Sequence, residues 1–547
     1  MYNFSKDYRD TRYVFIFWVG LLVIMLIRNF FFGFTYFRFL DDYNTYGVFF
    51  RRNSDIFNDI LLYYRNFRWR PFAALADAYI TQWFWPAMQV VLLFYTLMHF
   101  FTVYFFHRVM VISKINFSLF GIIIISLTPI LAEAVYWIGA ATRLVPGMFL
   151  SILSVYFLLV HISYDEKNIF KRKYLLLYIL FNFASVGFYE QIVVFNLTFT
   201  LLIVFLNRHR MYYNVKAIYF TPIMATIVIF VYYLIMSIGD DGTRVSLVNL
   251  FSLFSHAIQT SGRIINLLVF TNYEISINGF FRGITLIFTL FGVLSLVFII
   301  AFVGFLLFSS YRTYLSFENE SYEKFLLRIL IGIILTLMPF APFFILQPQQ
   351  LPPRTIYPSI FGIAILLDTL ISIISNVKFL KQVKYIIHSV LVIPFFLIYI
   401  AEVNNYRLLE KTDNIIIANF LEAFYESGYN DGDTIILFNT RLTFADVTGG
   451  GSPYRLENVT SSNWAMQGIA NATSDMFRFT SIQPVRDYGT LHSQWIMYGR
   501  LFGIDEDLNI FQLNMYLNRL YVSNTSELFG YINFHENGNY IFNRLIP

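Results

Sequence analysis

Residues 35–47 read TYFRFLDDYNTYG, and residues 66–71 read NFRWRP. The first stretch follows an apolar run over residues 13–34. That run is long enough for a membrane-crossing helix, which needs about 20 mostly apolar residues. Two adjacent carboxylates, Asp41 and Asp42, therefore stand just past a membrane boundary. A little further on come Arg65, Arg68 and Arg70, interleaved with Phe67 and Trp69. Carboxylates at a membrane surface, followed by cations and an aromatic platform, are the parts needed to act on a lipid-borne substrate. Each part also has a plainer reading. An acid pair beside a helix serves as a cap or topological marker, and a basic aromatic segment anchors to anionic headgroups. Two neighbouring acids on a helix or turn point in different directions, so one of them faces a site, and Asp41 is the favoured one.

Composition sets the class. Of 547 residues, 57% are hydrophobic and only 13% charged, against about 25% charged in soluble proteins. Mean hydropathy is +0.58. The chain reads as a polytopic α-helical membrane protein. Its net charge of +5 is no signal for nucleic acid, because the cations sit in short loops between apolar runs. The absence of Cys excludes disulfides, thiolate metal sites and cysteine nucleophiles. The first apolar run lacks a small-residue cleavage site, so it reads as a retained membrane helix.

Apolar runs lie near 13–34, 84–106, 117–133, 144–163, 174–189, 191–207, 217–238, 284–308, 326–346, 356–375 and 385–402, about eleven crossings by length. The fifth and sixth form a tight hairpin around Glu190. Lys6, Arg9 and Arg12, then Lys167 and Lys171–Lys173, then Arg208, Arg210 and Lys216, then Lys378, Lys381 and Lys384 all fall on one side if the helices alternate. Cytoplasmic loops are rich in Lys and Arg, so that side is inside. An odd number of crossings puts residues 403–547 outside, on the side of Asp41 and Asp42. The expected domains are a transmembrane part, 1–402, and an extracytoplasmic soluble part, 403–547.

Two outer loops are long. The first, 35–83, contains DIFNDILLYYRNF, with apolar residues at helical spacing beside charged ones, which predicts a helix lying in the interface. The second, 239–283, opens with GDDGTR and continues with another amphipathic segment, in which Gln259, Ser261, Arg263 and Asn266 argue against a crossing. Asp240 and Asp241 read as turn residues. Beyond 403 the pattern becomes that of an α/β domain. TDNIIIANFLEAFYESGYNDGDTIILFN (412–439) predicts a capped helix, a stop at Gly428 and a strand. GGGSP at 449–453 predicts a loop, and YINFHENGNYIFN (531–543) a hairpin turning at Asn537-Gly538.

Other candidate contacts lie at outer helix ends. Arg28 and Arg38 flank the end of the first helix. An Arg there either snorkels to headgroups or holds a lipid phosphate with its planar fork. Glu133 precedes YWIGAATRLVP. QPQQLPPRTIYPS at 347–359 is a proline-stiffened turn presenting Arg354, with Tyr357 close by. The candidate substrate contacts are Arg68, Trp69, Arg70, Glu133, Glu190, Arg354 and Tyr357. No GxxxxGK[ST] loop points to ATP-driven transport, and no HExxH to a zinc protease. Scarce mid-helix charges weigh against an ion-coupled transporter.

This pattern resembles the GT-C superfamily of lipid-dependent membrane glycosyltransferases. One crossing leads to an acid-bearing outer loop, many crossings follow, and a soluble domain lies outside. DDYNTYG followed by RWRPF is similar to the bacterial GtrII-type glucosyltransferases. The motif content is confined to the first outer loop, and the C-terminal domain resembles nothing nameable. The resemblance implies an inverting transfer from a polyprenyl-phosphate sugar to a cell-surface glycan or lipid-linked acceptor at the outer face of the cell membrane. Asp41 or Asp42 would be the catalytic acid of that family. It leaves a divalent metal open, since some relatives bind one and some do not, and it implies no other cofactor. The alternative classes are a flippase or transporter of lipid-linked oligosaccharide, or its polymerase.

Overall fold

The apolar runs form helices, and the last third of the chain adds a sheet. In the computed structural model most of the chain is helical, and among the described residues strands occur only after Gly428. The structure describes all residues except 1–10, 51–55, 164–170, 209–214, 238–251, 293–303, 305–321, 346–350, 376–380, 430–432, 441–457, 486–489, 493–498, 535–538 and 546–547, and single positions 272, 274, 291, 475 and 506. Several expected features lie outside the described residues. These are Lys6, Arg9, Lys167, Arg210 and Lys378, the turn at Asp240-Asp241, most of the crossing at 284–308, the loop at 449–453 and the turn at Asn537-Gly538.

Among the described residues two stretches are long and apolar enough to cross a membrane, Pro71–Ile112 and Ile138–Ile162. Shorter apolar helices run over Val14–Asn29, Glu190–Leu206, Ile218–Tyr233 and Ile360–Ser372. Proline shapes several of the others. The run expected to cross at 117–133 is broken. Helix Leu119–Leu127 ends at Thr128, whose ψ is 123°, and a 3₁₀ turn at Pro129–Leu131 leads into Ala132–Val135. Pro129 disfavours helical backbone at the residue before it and lacks an N–H. Likewise helix Tyr322–Leu337 gives way at Pro339 to a 3₁₀ turn, Met338–Phe340, and a short helix, Pro342–Ile345.

The two amphipathic helices form as expected. Ile56–Phe67 leaves Phe57, Leu61 and Leu62 exposed, and Leu253–Ile265 leaves Phe254, Ile258 and Ile265 exposed. Apolar faces of this kind suit burial in a headgroup boundary. Residues 275–290, the start of which falls in the expected loop 239–283, are helical. There Gly279 and Gly283 lie so close to Ile398 and Leu397 that a Cβ on either would fall within 2.7 Å of them.

The chain divides into two compact units. The first comprises Met1–Thr35, Asn66–Ala76 and Met88–Val403, and the second Tyr36–Arg65, Asp77–Ala87 and Asn404–Pro547. The acid-bearing stretch thus belongs to the same unit as the C-terminal sheet.

One helix, Lys381–Glu426, runs for 46 residues. The separate capped helix expected at Thr412-Asp413 does not begin there. No Gly or Pro interrupts residues 395–426, so nothing ends the preceding helix. Gly428, at φ +70°, closes it. Among the described residues eight strands follow: β1 Thr434–Phe438, β2 Ser481–Val485, β3 Thr490–His492, β4 Arg500–Ile504, β5 Ile510–Tyr516, β6 Arg519–Val522, β7 Leu528–Phe534 and β8 Asn539–Arg544. β1 lies between β2 and β4, parallel to both. Its run TIILF is buried almost throughout, as a strand covered on both faces must be. From β4 to β8 neighbouring strands are antiparallel, and β3 completes the far edge beside β8. One core cluster joins Ile436, Phe438, Leu501, Leu513, Leu520 and Phe529. The end of the long helix lays Phe420 and Phe424 against Phe479 and Phe502.

Candidate functional site

In the second unit, Asp41 and Asp42 open a four-residue helix, Asp41–Asn44, which continues as a π-helical turn, Thr45–Phe50. The entry is strained. Leu40 has φ +21° and ψ −85°, a conformation costing about 1–3 kcal/mol for a non-glycine residue. Asp42 holds this turn. Its Oδ2 accepts the Tyr36 hydroxyl at 2.6 Å and the Phe39 N–H at 2.9 Å. The carboxyl is buried, and burial raises its pKa to about 7, against the opposing pull of those two hydrogen bonds. Asp41 is half-buried. One acid is therefore committed to the turn, and the other stands at the first position of the helix.

Arg38 ties the same turn to the long helix. Its N–H and Nη1 donate to Glu410 Oε1 at 3.2 and 3.4 Å, and Nη2 donates to the Trp85 carbonyl at 3.2 Å. The guanidinium lies 4.7 Å from the centre of the Trp85 ring, which itself stacks on Tyr46 at 4.2 Å. Tyr43 donates to Glu410 as well, and burial is the main cause of that carboxyl's raised pKa. Nearly one turn along, Asp413 is fully buried. Its Oδ1 accepts Asn458 Nδ2 and the Val459 N–H, each at 3.1 Å. Oδ2 has no hydrogen-bond partner among the described residues. Burial, with the charge of Glu410 adding to it, raises this carboxyl to about 7 also.

Helix Asn463–Thr473 covers the acid-bearing helix at Gly468, where a Cβ would lie 2.5 Å from Asn44 Cα. Gly47 meets Gly468 from the other side, its Cβ falling 2.0 Å from the Gly468 carbonyl oxygen. The glycine ending DDYNTYG is thus required by close approach of two backbones. Past Glu410, the long helix borders an open groove of about 540 Å³ whose lining includes Phe37, Arg407, Lys411, Asn414 and Asn419.

In the first unit, four of the expected substrate contacts are paired with one another. Arg70 meets Glu190 through both Nε and Nη2, at 3.0–3.3 Å, with its guanidinium 4.2 Å from the Tyr189 ring centre. Arg354 Nη1 donates to Glu133 Oε1, its N–H lies 3.3 Å from Oε2, and its guanidinium lies 5.0 Å from the Trp137 ring centre. Gln191 Nε2 donates to the Thr355 carbonyl at 3.0 Å. The proline-stiffened turn is thus bound to Glu133 and to Gln191 in the first turn of helix Glu190–Leu206. Tyr357 is fully buried, its hydroxyl 2.8 Å from His99 Nδ1. The Arg68 carbonyl accepts the Tyr232 hydroxyl at 2.8 Å, and Trp69 lies 6.4 Å from Tyr233. Arg354 does not stand as a lone cation, since its charge is met by Glu133.

Comparison with family models, with curated proteins and with solved structures finds no match. The site rests on its own geometry.

Sequence reasoning missed the Arg38–Glu410 clamp and Asp413. Glu410 and Asp413 are three residues apart in RLLEKTDN, which puts them on neighbouring positions of one helix face. Nothing in that spacing links them to residue 38. Among the described residues no three His, Asp or Glu side chains gather closely enough to hold a metal.

Proposed function

We propose that this chain is a multi-pass membrane glycosyltransferase. It moves a sugar from a polyprenyl-phosphate donor to a glycan or lipid-linked acceptor at the outer face of the membrane, with inversion. The observation that carries this reading is the division of labour in the acid pair. Asp42 is bound into a strained turn by Tyr36 and Phe39, and that turn presents Asp41 at the start of a helix. Strained backbone that the surroundings over-determine is typical of reaction sites.

In the reaction, the acceptor hydroxyl gives its proton to the Asp41 carboxylate while its oxygen attacks the anomeric carbon. The bond from that carbon to the phosphate oxygen breaks, and the polyprenyl phosphate leaves with the electron pair. Phosphate leaves as an anion, so a general acid is not needed. Asp42 is a positioning residue. The groove beside Phe37, Asn414 and Asn419 offers an aromatic face and amides, which suit a sugar acceptor.

The proposed topology has about eleven crossings, with residues 403–547 outside. Support comes from which helix ends meet. Ser118 and Arg328 both bond Asp368, and Asn207 bonds Ser113; alternation puts all of these ends inside. Glu133 with Arg354, Glu190 with Arg70, and Gln191 with Thr355 join ends that alternation puts outside.

The test is turnover by the purified protein in lipid nanodiscs given a polyprenyl-phosphate sugar and a panel of glycan acceptors. Wild type is expected to release polyprenyl phosphate, and Asp41→Asn to lose about 10²–10⁴ in rate. A wild-type protein that consumes no such donor overturns the reading.

A further inference from the structure

Arg28 closes helix Thr11–Asn29 and is fully buried in the first unit. Its guanidinium lies 4.1 Å from the centre of the Tyr399 ring. None of Nε, Nη1 and Nη2 has a hydrogen-bond partner among the described residues. The contrast with other cations of this unit is sharp. Arg70, Arg328 and Arg354 each face a carboxylate, whereas Arg28 faces the ring of Tyr399. A guanidinium has five N–H donors, and cation–π attraction offsets only part of the cost of burying it unpaired.

Its neighbour repeats the pattern. The Tyr399 hydroxyl is buried with no hydrogen-bond partner among the described residues. The ring beside the cation thus carries an unused donor. Beside it is an apolar cluster that includes Phe31, Phe396, Leu397 and Ile400, the last three lying within three residues of Tyr399 along its helix. A concentrated anion-binding group next to an apolar wall matches an amphiphile with a phosphate head and a hydrocarbon tail.

We propose that Arg28 and the Tyr399 hydroxyl bind a phosphate group, that of a polyprenyl phosphate whose chain follows the Phe31–Phe396–Leu397 wall. This rests on the donor class proposed above. The guanidinium forks onto two phosphate oxygens, and the Tyr399 hydroxyl donates to a third. Because Arg28 is enclosed, the phosphate reaches it by displacing the Tyr399 ring stacked on it.

Binding, without turnover, tests this. The full-length protein in detergent is titrated with polyprenyl phosphate, with uncharged polyprenol and with inorganic phosphate, and its melting temperature is recorded. Wild type is expected to prefer the lipid phosphate over polyprenol. Arg28→Met should weaken that binding at least about tenfold, Arg28→Lys less, and Tyr399→Phe less again. Arg28→Met should melt no lower than wild type, because replacing an unpaired buried charge with an apolar side chain relieves a cost. A lower melting point with unchanged lipid-phosphate binding makes Arg28 structural and overturns the inference, while the donor reading stands. If Arg28→Met does not fold, Arg28→Lys carries the same comparison. Wild type binding polyprenol as well as its phosphate overturns the donor reading itself. Inorganic phosphate bound by wild type, lost in Arg28→Met and accompanied by no lipid preference, keeps the anion site and overturns its lipid source.

Discussion

Replacing Asp413 with Asn changes how the second unit responds to pH, by an amount the structure sets. Asp413 is fully buried, and its carboxyl is raised from 3.8 to about 7. At about 1.36 kcal/mol per pH unit, ionising it in the folded state costs about 4 kcal/mol more than in the unfolded chain. The sign follows from which state holds the proton. Below the unfolded value of 3.8 both states are protonated and folding is undisturbed. Between that value and about 7 the unfolded chain releases its proton while the folded chain keeps it, so stability falls as pH rises. Above the folded value the loss is complete. Asp413→Asn removes this titration but keeps an oxygen to accept Asn458 and Val459. The variant and wild type should therefore be about equally stable at pH 4. At pH 8 the variant should be more stable by up to about 4 kcal/mol. Asp42 and Glu410 titrate in the same direction in both proteins, so the difference between them reports Asp413 together with its coupling to Glu410. Hydrogen exchange of peptides covering 458–473, corrected for intrinsic rates, reads the effect where the Val459 amide meets the acid. A stability difference that does not change between pH 4 and pH 8 would refute the reasoning.

Asp41→Asn and Asp42→Asn should separate. The first loses the base and about 10²–10⁴ in turnover. The second keeps an acceptor for Tyr36 and Phe39 and so retains more activity. Asp42→Ala, which strands the buried Phe39 N–H, should destabilise by about 1–3 kcal/mol. Equal turnover in the two Asn variants would remove the division of labour. Gly468→Ala puts a Cβ 2.5 Å from Asn44 Cα, and overpacking of this kind costs about 1–3 kcal/mol; a melting curve superimposable on wild type would show that the helices part without cost. Glu133→Gln and Arg354→Gln should each destabilise, and the double variant should cost less than their sum by about 0.5–3 kcal/mol. Strict additivity in that cycle would mean the pair is not coupled.

Much of the fold was legible because its signals are local. Apolar runs, helical spacing in DIFNDILLYYRNF, the stop at Gly428 and the strand after it are all read within a few residues. The breaks at Pro129 and Pro339 were legible too, since proline acts on its own backbone, yet the apolar runs masked them. The uninterrupted helix Lys381–Glu426 was misread for the opposite reason. Thr412 and Asp413 look like a cap, but a cap is used only where a helix needs to begin. Here Asp413 serves a loop, at Asn458 and Val459. The ion pairs of Glu133 with Arg354 and Glu190 with Arg70 join residues 221 and 120 positions apart. Sequence reasoning put these residues on one face, but pairing is decided by packing.

The same limit explains why the candidate site changed its centre. From the sequence, a cation on a stiff loop is the natural phosphate ligand, and Arg354 fits that description. A cation's availability, however, depends on what else faces it. Arg354 and Arg70 are neutralised by carboxylates, while Arg28 has aromatic rings around it and no ion pair among the described residues. A carboxylate partner lowers the gain from adding an anion, because the new ligand must share or displace charge already compensated. An unpaired guanidinium suffers no such competition, and its burial cost is recovered when the anion arrives. Charged groups held at a cost in the resting protein are where binding free energy is largest. By that criterion the strained turn at Leu40, which presents Asp41, and the enclosed Arg28 are, among the described residues, places held at a cost that ligand binding would recover.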